Sequence, residues 1–293
     1  MTDITGKNAV VVAGGNGIGR SIAHALADAG ANVVIADIRK DDAEKVRDEV
    51  VAKGRKAIAI QTDVSRLDAM QALADAAFDA FGTIEILVNN AGVAVRPMRA
   101  IWDTSYADLQ YMININIWGL LHGYHVFLPR MRAQTGEKHI VNTSSMASML
   151  TIPGMAIYTM SKEATDGFSR VTAEELRADG FNTTILYPGQ INTAAHTRSG
   201  ELRSAEERAA DAAVKPFASY AEERGEALIA GGAGRGPVRV LGGTHTSVAI
   251  EPELVGPMVV RAIRENRPVC MTHRPPEEGI RMIAEAQLDG YHP

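Results

Sequence analysis

The sequence predicts an α/β protein built on a doubly wound parallel sheet, as a single domain with an enlarged C-terminal loop and a terminal helix. Three observations carry that expectation. Between Lys7 and Tyr187, six short apolar, β-branched runs alternate with longer segments of helical period. Each intervening segment is long enough for a crossover helix, which parallel strands require. Several of these segments stop at glycine, at Gly30, Gly54, Gly82 and Gly180, as a left-handed helix terminus would.

The elements follow in order. Strands are expected at Asn8 to Ala13, Asn32 to Asp37, Ala57 to Gln61, Ile84 to Asn89, His139 to Thr143 and Asn182 to Tyr187. Helices are expected at Ile18 to Ala29, Asp41 to Lys53, Arg66 to Phe81, Tyr106 to Met131 and Met155 to Ala178. Strict alternation buries the sheet on both faces. Past Thr193 the rhythm breaks. Arg198 to Ala213 is charged and alanine-rich and reads as an exposed helix, whereas Gly225 to Gly243 holds seven glycines in 19 positions and reads as a loop. A helix should start near Glu251-Pro252, with proline in its first turn. A last strand is expected over Arg267 to Thr272 and a terminal helix from Pro276 to Leu288.

At 293 residues the chain is long enough for two domains, yet no linker, repeat or low-complexity tract divides it. The expected organisation is one domain: residues 1–193 as a binding and catalytic core, 194–250 as a lid, and 251–293 as a helix, strand and helix. With 30 Lys+Arg against 35 Asp+Glu the net charge is -5, which argues against nucleic-acid binding or a polybasic membrane surface. No apolar run approaches a membrane span, and the first residues lack a basic segment followed by an apolar stretch. Cys270 is the single cysteine, so an internal disulfide is impossible, and a reducing, cytoplasmic setting is expected.

Two clusters point to chemistry. The first run leads into Val12-Ala13-Gly14-Gly15-Asn16-Gly17-Ile18-Gly19. Glycines at a strand-to-helix turn let backbone N–H groups approach a pyrophosphate, which the helix dipole also favours. Asp37 ends the second run, where a carboxylate either accepts from adenosine ribose hydroxyls or caps the following helix. The second cluster is Tyr158-Thr159-Met160-Ser161-Lys162. Tyrosine and lysine at i and i+4 share a helix face, so the ammonium can favour the ionised phenol. The same spacing also suits an exposed pair with no chemical role.

With these residues in view, the chain resembles the short-chain dehydrogenase/reductase family. The family's TGxxxGxG is met as VAGGNGIG. Without a gap, Val12 and Ala13 replace the threonine and first glycine, whereas a one-residue deletion would make Gly14 the first glycine. The resemblance implies a Rossmann fold and a nicotinamide dinucleotide held by Gly14, Asn16, Gly17, Ile18, Asp37, Asp63, Val64 and Asn90. Asp63-Val64 would hold the adenine. Pro188, Ile191 and Thr193, in a PGxxxT match, would orient the nicotinamide. Tyr158 and Lys162 would serve both cofactor and catalysis. Ser145 lies 13 residues before Tyr158, the family's serine-to-tyrosine separation, with Ser144 the adjacent alternative. Asn116, in Asn116-Ile117-Trp118-Gly119, matches NxxG and would hold a water linking Lys162 to solvent; Asn114 is its rival.

The implied activity is an NAD-dependent alcohol dehydrogenase or carbonyl reductase, with Tyr158 as general acid and base and no metal. Asp37 favours NAD, and the nearby Arg39 and Lys40 keep an NADP-dependent ketone reductase as the alternative. The altered turn motivates a reading from another class, a catalytically silent dinucleotide-binding sensor or scaffold. The segment from Glu251 to Pro275 resembles bacterial members acting on bulky, often aromatic alcohols. A homo-oligomer, dimer or tetramer, is also implied. His122 and His125 at i and i+3 lack a third ligand and read as structural. Met146, Met149, Leu150, Met155 and Met160 are equally readable as core filler or as pocket lining. Trp102 and Tyr111 read as packing residues, and Cys270 as inert.

Overall fold

The computed structural model describes residues 2–95, 97–193, 248–275 and 277–289, and between them residues 201, 203, 205, 206, 209, 214–223, 238–240 and 243–245. Strands β1 (Asn8–Val12), β2 (Asn32–Asp37), β3 (Ala57–Gln61), β4 (Ile86–Asn89), β5 (Lys138–Thr143) and β6 (Phe181–Tyr187) alternate with helices α1 (Gly17–Asp28), α2 (Lys40–Ala52), α3 (Leu67–Phe81), α4 (Tyr106–Ile113), α5 (Gly119–Arg132) and α6 (Ala156–Arg177). After them come α7 (Phe217–Glu223), β7 (Val238–Val240), β8 (Gly243–His245), α8 (Val255–Arg264), β9 (Val269–Met271) and α9 (Glu277–Asp289). The main sheet is parallel throughout, in the order β3-β2-β1-β4-β5-β6-β9. Strand order reverses between β1 and β4, and such a switch point opens a crevice at the carboxyl ends of the strands.

Alternation along each strand builds two apolar layers. Ala9, Val11, Val33 and Ile35 face α1, α2 and α8, whereas Val10, Val12, Val34 and Ala36 face α3, α5 and α6. A parallel strand buried on both faces reads as a continuous apolar run, which is why its limits were visible in the sequence. The four glycine stops all have positive φ, from 76° at Gly82 to 96° at Gly30. Helix α8 closes against α1, where the Gly256 amide donates to Ser21 Oγ at 2.9 Å.

Several expectations need correction. β1 ends at Val12 because Ala13 turns into the left-handed region, with φ 55°. β4 starts at Ile86, two residues later than expected. The long central helix is not uniform: residues Asn114–Trp118 form a π-helical turn between α4 and α5. A 3-10 turn, Pro252–Leu254, precedes α8. In the glycine-rich stretch read as loop, Val238–Val240 and Gly243 belong to an antiparallel ribbon. The helix expected over 198–213 falls largely outside the described residues, as does most of 225–243. Among the described residues, no helix is long and apolar enough to cross a membrane.

Candidate active site

Around the switch point lie the turn after β1, the ends of β2, β4 and β5, and the first turns of α6. On one side, the turn after β1 carries Gly14 to Ile18 into the N-terminus of α1, with Gly17 at φ 50°. A Cβ at Gly19 would stand 1.9 Å from the Ala13 carbonyl oxygen, so only glycine lets α1 approach this turn. That carbonyl accepts from Asn90 Nδ2 at 3.1 Å, which ties the end of β4 to the turn. Asp37, at the end of β2, accepts from Gly15 N at 2.9 Å and Arg39 N at 3.1 Å. Its carboxylate therefore holds the glycine turn directly, a use distinct from both sequence readings. Across the next turn, Asp63 Oδ1 accepts from the Ser65 amide and hydroxyl, and the Val64 carbonyl meets His122 Nδ1 at 2.9 Å. His122 thus has a structural partner.

On the other side, β5 ends at Thr143 and delivers Ser144 and Ser145 to the crevice. Their side chains diverge. Ser144 Oγ donates to the Lys162 carbonyl at 3.1 Å, whereas Ser145 Oγ accepts from Ala147 N and caps the short turn Met146–Met149. Ser144 is therefore committed to α6. Tyr158 and Lys162 occupy the first turns of α6, as the i, i+4 spacing requires. Lys162 Nζ donates to the Thr143 carbonyl at 2.9 Å and stands 5.8 Å from the Tyr158 ring centroid. Burial pulls the Lys162 pKa down to about 8, and the Asp166 carboxylate one turn on pushes back. Asp166 is itself buried; burial raises its pKa and the Ser144, Ser148 and Tyr187 hydroxyls lower it.

Asn116 lies in the π-helical turn, a distortion often found at functional sites. Its Oδ1 accepts from Val93 N at 2.8 Å, and Nδ2 donates to Val93 O at 3.0 Å and Ser161 Oγ at 2.9 Å. Asn114 is exposed, so Asn116 is the residue the structure brings to the crevice. A Cβ at Gly92 would stand 3.0 Å from Lys162 Nζ and 3.7 Å from Asn116 Oδ1, so a side chain there would crowd the lysine ammonium. Pro188, Ile191 and Thr193 follow β6: Pro188 O accepts from Met146 N, Ile191 bridges Ile250, and Thr193 faces Gly17. A cradle of main-chain amides at a helix N-terminus, opposite a buried ammonium, fits a pyrophosphate dinucleotide.

Other candidates separate. Met146 is core, clustered with Ile185 and Tyr187, whereas Met160 is exposed. Trp102 is 63% exposed and packs edge-on against Tyr220. Tyr111 lies under the Arg203 guanidinium. Cys270 is buried in β9, and burial pushes its thiol up to about 11. Sequence reasoning missed Asp166, whose i+4 spacing from Lys162 was a usable signal. It also missed Arg203, which pairs with Asp108 at 2.5 Å through contacts no local pattern encodes.

Residues 7–203 match the short chain dehydrogenase family. SadH of Mycobacterium tuberculosis, an oxidoreductase by name, is 30% identical over 247 residues, covering 83% of this chain and 88% of its own. A solved short chain dehydrogenase/reductase from Burkholderia phymatum, in complex with NAD, aligns with TM-score 0.82 at 28% identity, over 100% of this chain and 98% of that one. A 7α-hydroxysteroid dehydrogenase, complexed with NADH and 7-oxo glycochenodeoxycholic acid, aligns with TM-score 0.62 at 32% identity, over 69% of this chain and 77% of that one.

Proposed function

The chain belongs to the short-chain dehydrogenase/reductase family of oxidoreductases, and from that premise we propose an NAD-dependent enzyme that moves a hydride between a secondary alcohol and the nicotinamide cofactor. The observation that carries the reading is the buried Lys162 ammonium, 5.8 Å from the Tyr158 ring and hydrogen-bonded to the end of β5. Gly14, Asn16, Gly17 and Ile18 would hold the pyrophosphate. Asp37 would meet the adenosine ribose, Asp63 and Val64 the adenine, and Asn90, Pro188, Ile191 and Thr193 the nicotinamide half. When bound, the oxidised cofactor supplies the hydride acceptor.

The protein's own groups handle the oxygen and its proton. Ser145 holds the alcohol oxygen against Tyr158. The Lys162 charge favours the Tyr158 phenolate, which takes the hydroxyl proton as the carbinol hydrogen leaves as hydride. Lys162 would also bind the cofactor ribose, and Asn116 would hold a water that carries the proton out. In the reverse direction Tyr158 returns the proton to the ketone oxygen.

Domain organisation is proposed as one unit, with 194–250 as the substrate lid. A bulky secondary alcohol is the proposed substrate class, supported by the tail resemblance and by a relative bound to a keto bile acid. NAD is the proposed cofactor because Asp37 ends β2 and Arg39 is paired with Glu201 at 2.5 Å. Exposed Tyr106 and Trp118 on the central helices support a homo-oligomer, and the setting proposed is cytoplasmic. Tyr158→Phe tests the reading: turnover should fall by several orders of magnitude while NADH binding, read by fluorescence, persists. Retained turnover overturns the assignment. Running the wild-type enzyme over secondary alcohols of graded size, with NAD and NADP in parallel, separates the NADP-dependent reductase. NADH binding without turnover on any alcohol favours the silent sensor.

A further inference from the structure

The turn Gly189–Asn192 leaves β6 at the end of the crevice that would meet the nicotinamide, and the tail grips it from two sides. On one side, residues 250–251 run beside it: Ile250 N donates to Gln190 O at 3.1 Å, Asn192 N donates to Ile250 O at 2.9 Å, and Asn192 Nδ2 donates to Glu251 Oε1 at 2.5 Å. On the other, β9 ends at Met271 and places Thr272 and His273 against the turn. Gly189 N donates to Thr272 Oγ1 at 2.9 Å, Thr272 Oγ1 lies 2.7 Å from His273 Nδ1, and His273 Nε2 lies 2.9 Å from Val248 O.

A carbonyl only accepts, so Nε2 carries a hydrogen, and the neutral tautomer then leaves Nδ1 to accept from the Thr272 hydroxyl. Every donor in the line has its acceptor. The line runs from the Gly189 amide through two adjacent side chains to Val248, the start of the segment that grips the other side. The contact is also steric: a Cβ at Gly189 would stand 2.5 Å from His273 Nδ1 and 2.8 Å from its Cγ. Glycine at 189 is thus required by the imidazole, not by its own backbone angle, since it is absent from the positive-φ residues.

We propose that Thr272 and His273 are positioning residues that hold the Gly189–Asn192 turn in the shape that receives the nicotinamide end of the cofactor. They act through the turn and touch no reacting atom. This rests on reading Pro188 to Thr193 as a cofactor-binding turn. His273→Asn keeps an acceptor at the Nδ1 position, His273→Gln keeps a donor at the Nε2 position, and His273→Ala keeps neither. Thr272→Val removes the hydroxyl while keeping the shape.

The test compares hydrogen exchange of peptides spanning 186–193 with NADH dissociation constants measured by fluorescence, on the full chain. Thr272→Val and His273→Ala should speed exchange in 186–193 and weaken NADH by about three- to tenfold, the worth of one lost hydrogen bond. His273→Asn and His273→Gln should each recover part of the loss. Unchanged exchange, or faster exchange with NADH affinity within about twofold of wild type, overturns the proposal. Lower thermal stability with NADH affinity unchanged also overturns it, because that is a structural role alone. If wild type itself binds no NADH, it is the cofactor reading that fails, and the proposal falls with it.

Discussion

The Lys162 ammonium donates to the carbonyl oxygen of Thr143 at 2.9 Å, and this bond joins the first turns of α6 to the end of β5. It holds a charge on a buried side chain. Burial lowers the Lys162 pKa from 10.5 to about 8. Between those values the unfolded chain keeps a proton that the folded chain has released, so this group makes stability rise with pH across that window. Below pH 8 the full cost is present, about 3 kcal/mol. Lys162→Met removes it. The stability difference between variant and wild type, from urea unfolding at several pH values, should therefore shift in favour of wild type by about that amount from pH 8 to 10.5. A pH-independent difference contradicts the assigned cause.

Much of this arrangement was legible in the sequence, and the parts that were not share a physical reason. β2 was read to the residue because a strand buried on both faces is an uninterrupted apolar run, Val33 to Ala36, closed by Asp37. Tyr158 and Lys162 were read together because helix geometry fixes i and i+4 on one face. The end of β1 was misread because alanine gives no sign of a left-handed turn. The grip of Thr272 and His273 on Gly189 joins residues more than 80 positions apart, and it depends on β9 pairing with β6. No spacing rule carries such a contact. Even Asp37, found by position, serves the Gly15 amide in a way that only the folded turn reveals.

In the proposed cofactor site, the Asp37 carboxylate and the Arg39–Glu201 pair would together set the charge at the adenosine end. Arg39, whose amide donates to Asp37, is a cation that a 2′-phosphate would seek there, and Glu201 competes for its guanidinium. Glu201→Gln should raise kcat/KM with NADP by about two- to fivefold, in keeping with the modest worth of an exposed pair, and leave NAD nearly unchanged. Asp37→Asn should act differently. It removes the negative charge that would repel a 2′-phosphate and weakens the bond to Gly15 N, so the NAD-to-NADP ratio and the melting temperature should both fall. Parallel kinetics with the two cofactors and a thermal melt check both variants. An unchanged ratio in Asp37→Asn would remove Asp37 from cofactor selection.

Ala13 is held at φ 55° by its neighbours. Its carbonyl is fixed by Asn90 Nδ2 and by the close approach of Gly19, so the residue cannot relax. A non-glycine residue in that region costs about 1–2 kcal/mol, and replacing it by glycine gives back about 0.5–1 kcal/mol through unfolded-state freedom. Ala13→Gly should therefore stabilise the protein by about 0.5–1 kcal/mol in chemical denaturation, with NADH affinity unchanged. Destabilisation would mean that the alanine methyl makes contacts worth more than the backbone strain.

His139 makes stability fall in acid. It is buried in β5, with Nε2 lying 2.8 Å from Thr184 Oγ1, and that hydroxyl donates onward to Arg267 O at 2.7 Å. Thr184 must therefore accept from Nε2–H, which leaves Nδ1 as the bare nitrogen, without a hydrogen-bond partner among the described residues. Adding a proton there would put a charge and an unmatched donor inside the sheet, and burial accordingly lowers the pKa from 6.5 to about 3. As pH falls from 6.5 towards 3, the unfolded chain takes up a proton that the folded chain refuses, so stability is full above 6.5 and drains through that window. The loss is about 2 kcal/mol by pH 5 and about 4 kcal/mol by pH 3. His139→Gln keeps a donor near the Thr184 hydroxyl and has nothing to titrate. Its stability relative to wild type, followed from pH 7 to 4, should improve along that curve, and parallel pH profiles for the two proteins would refute the assignment of this acid sensitivity to His139.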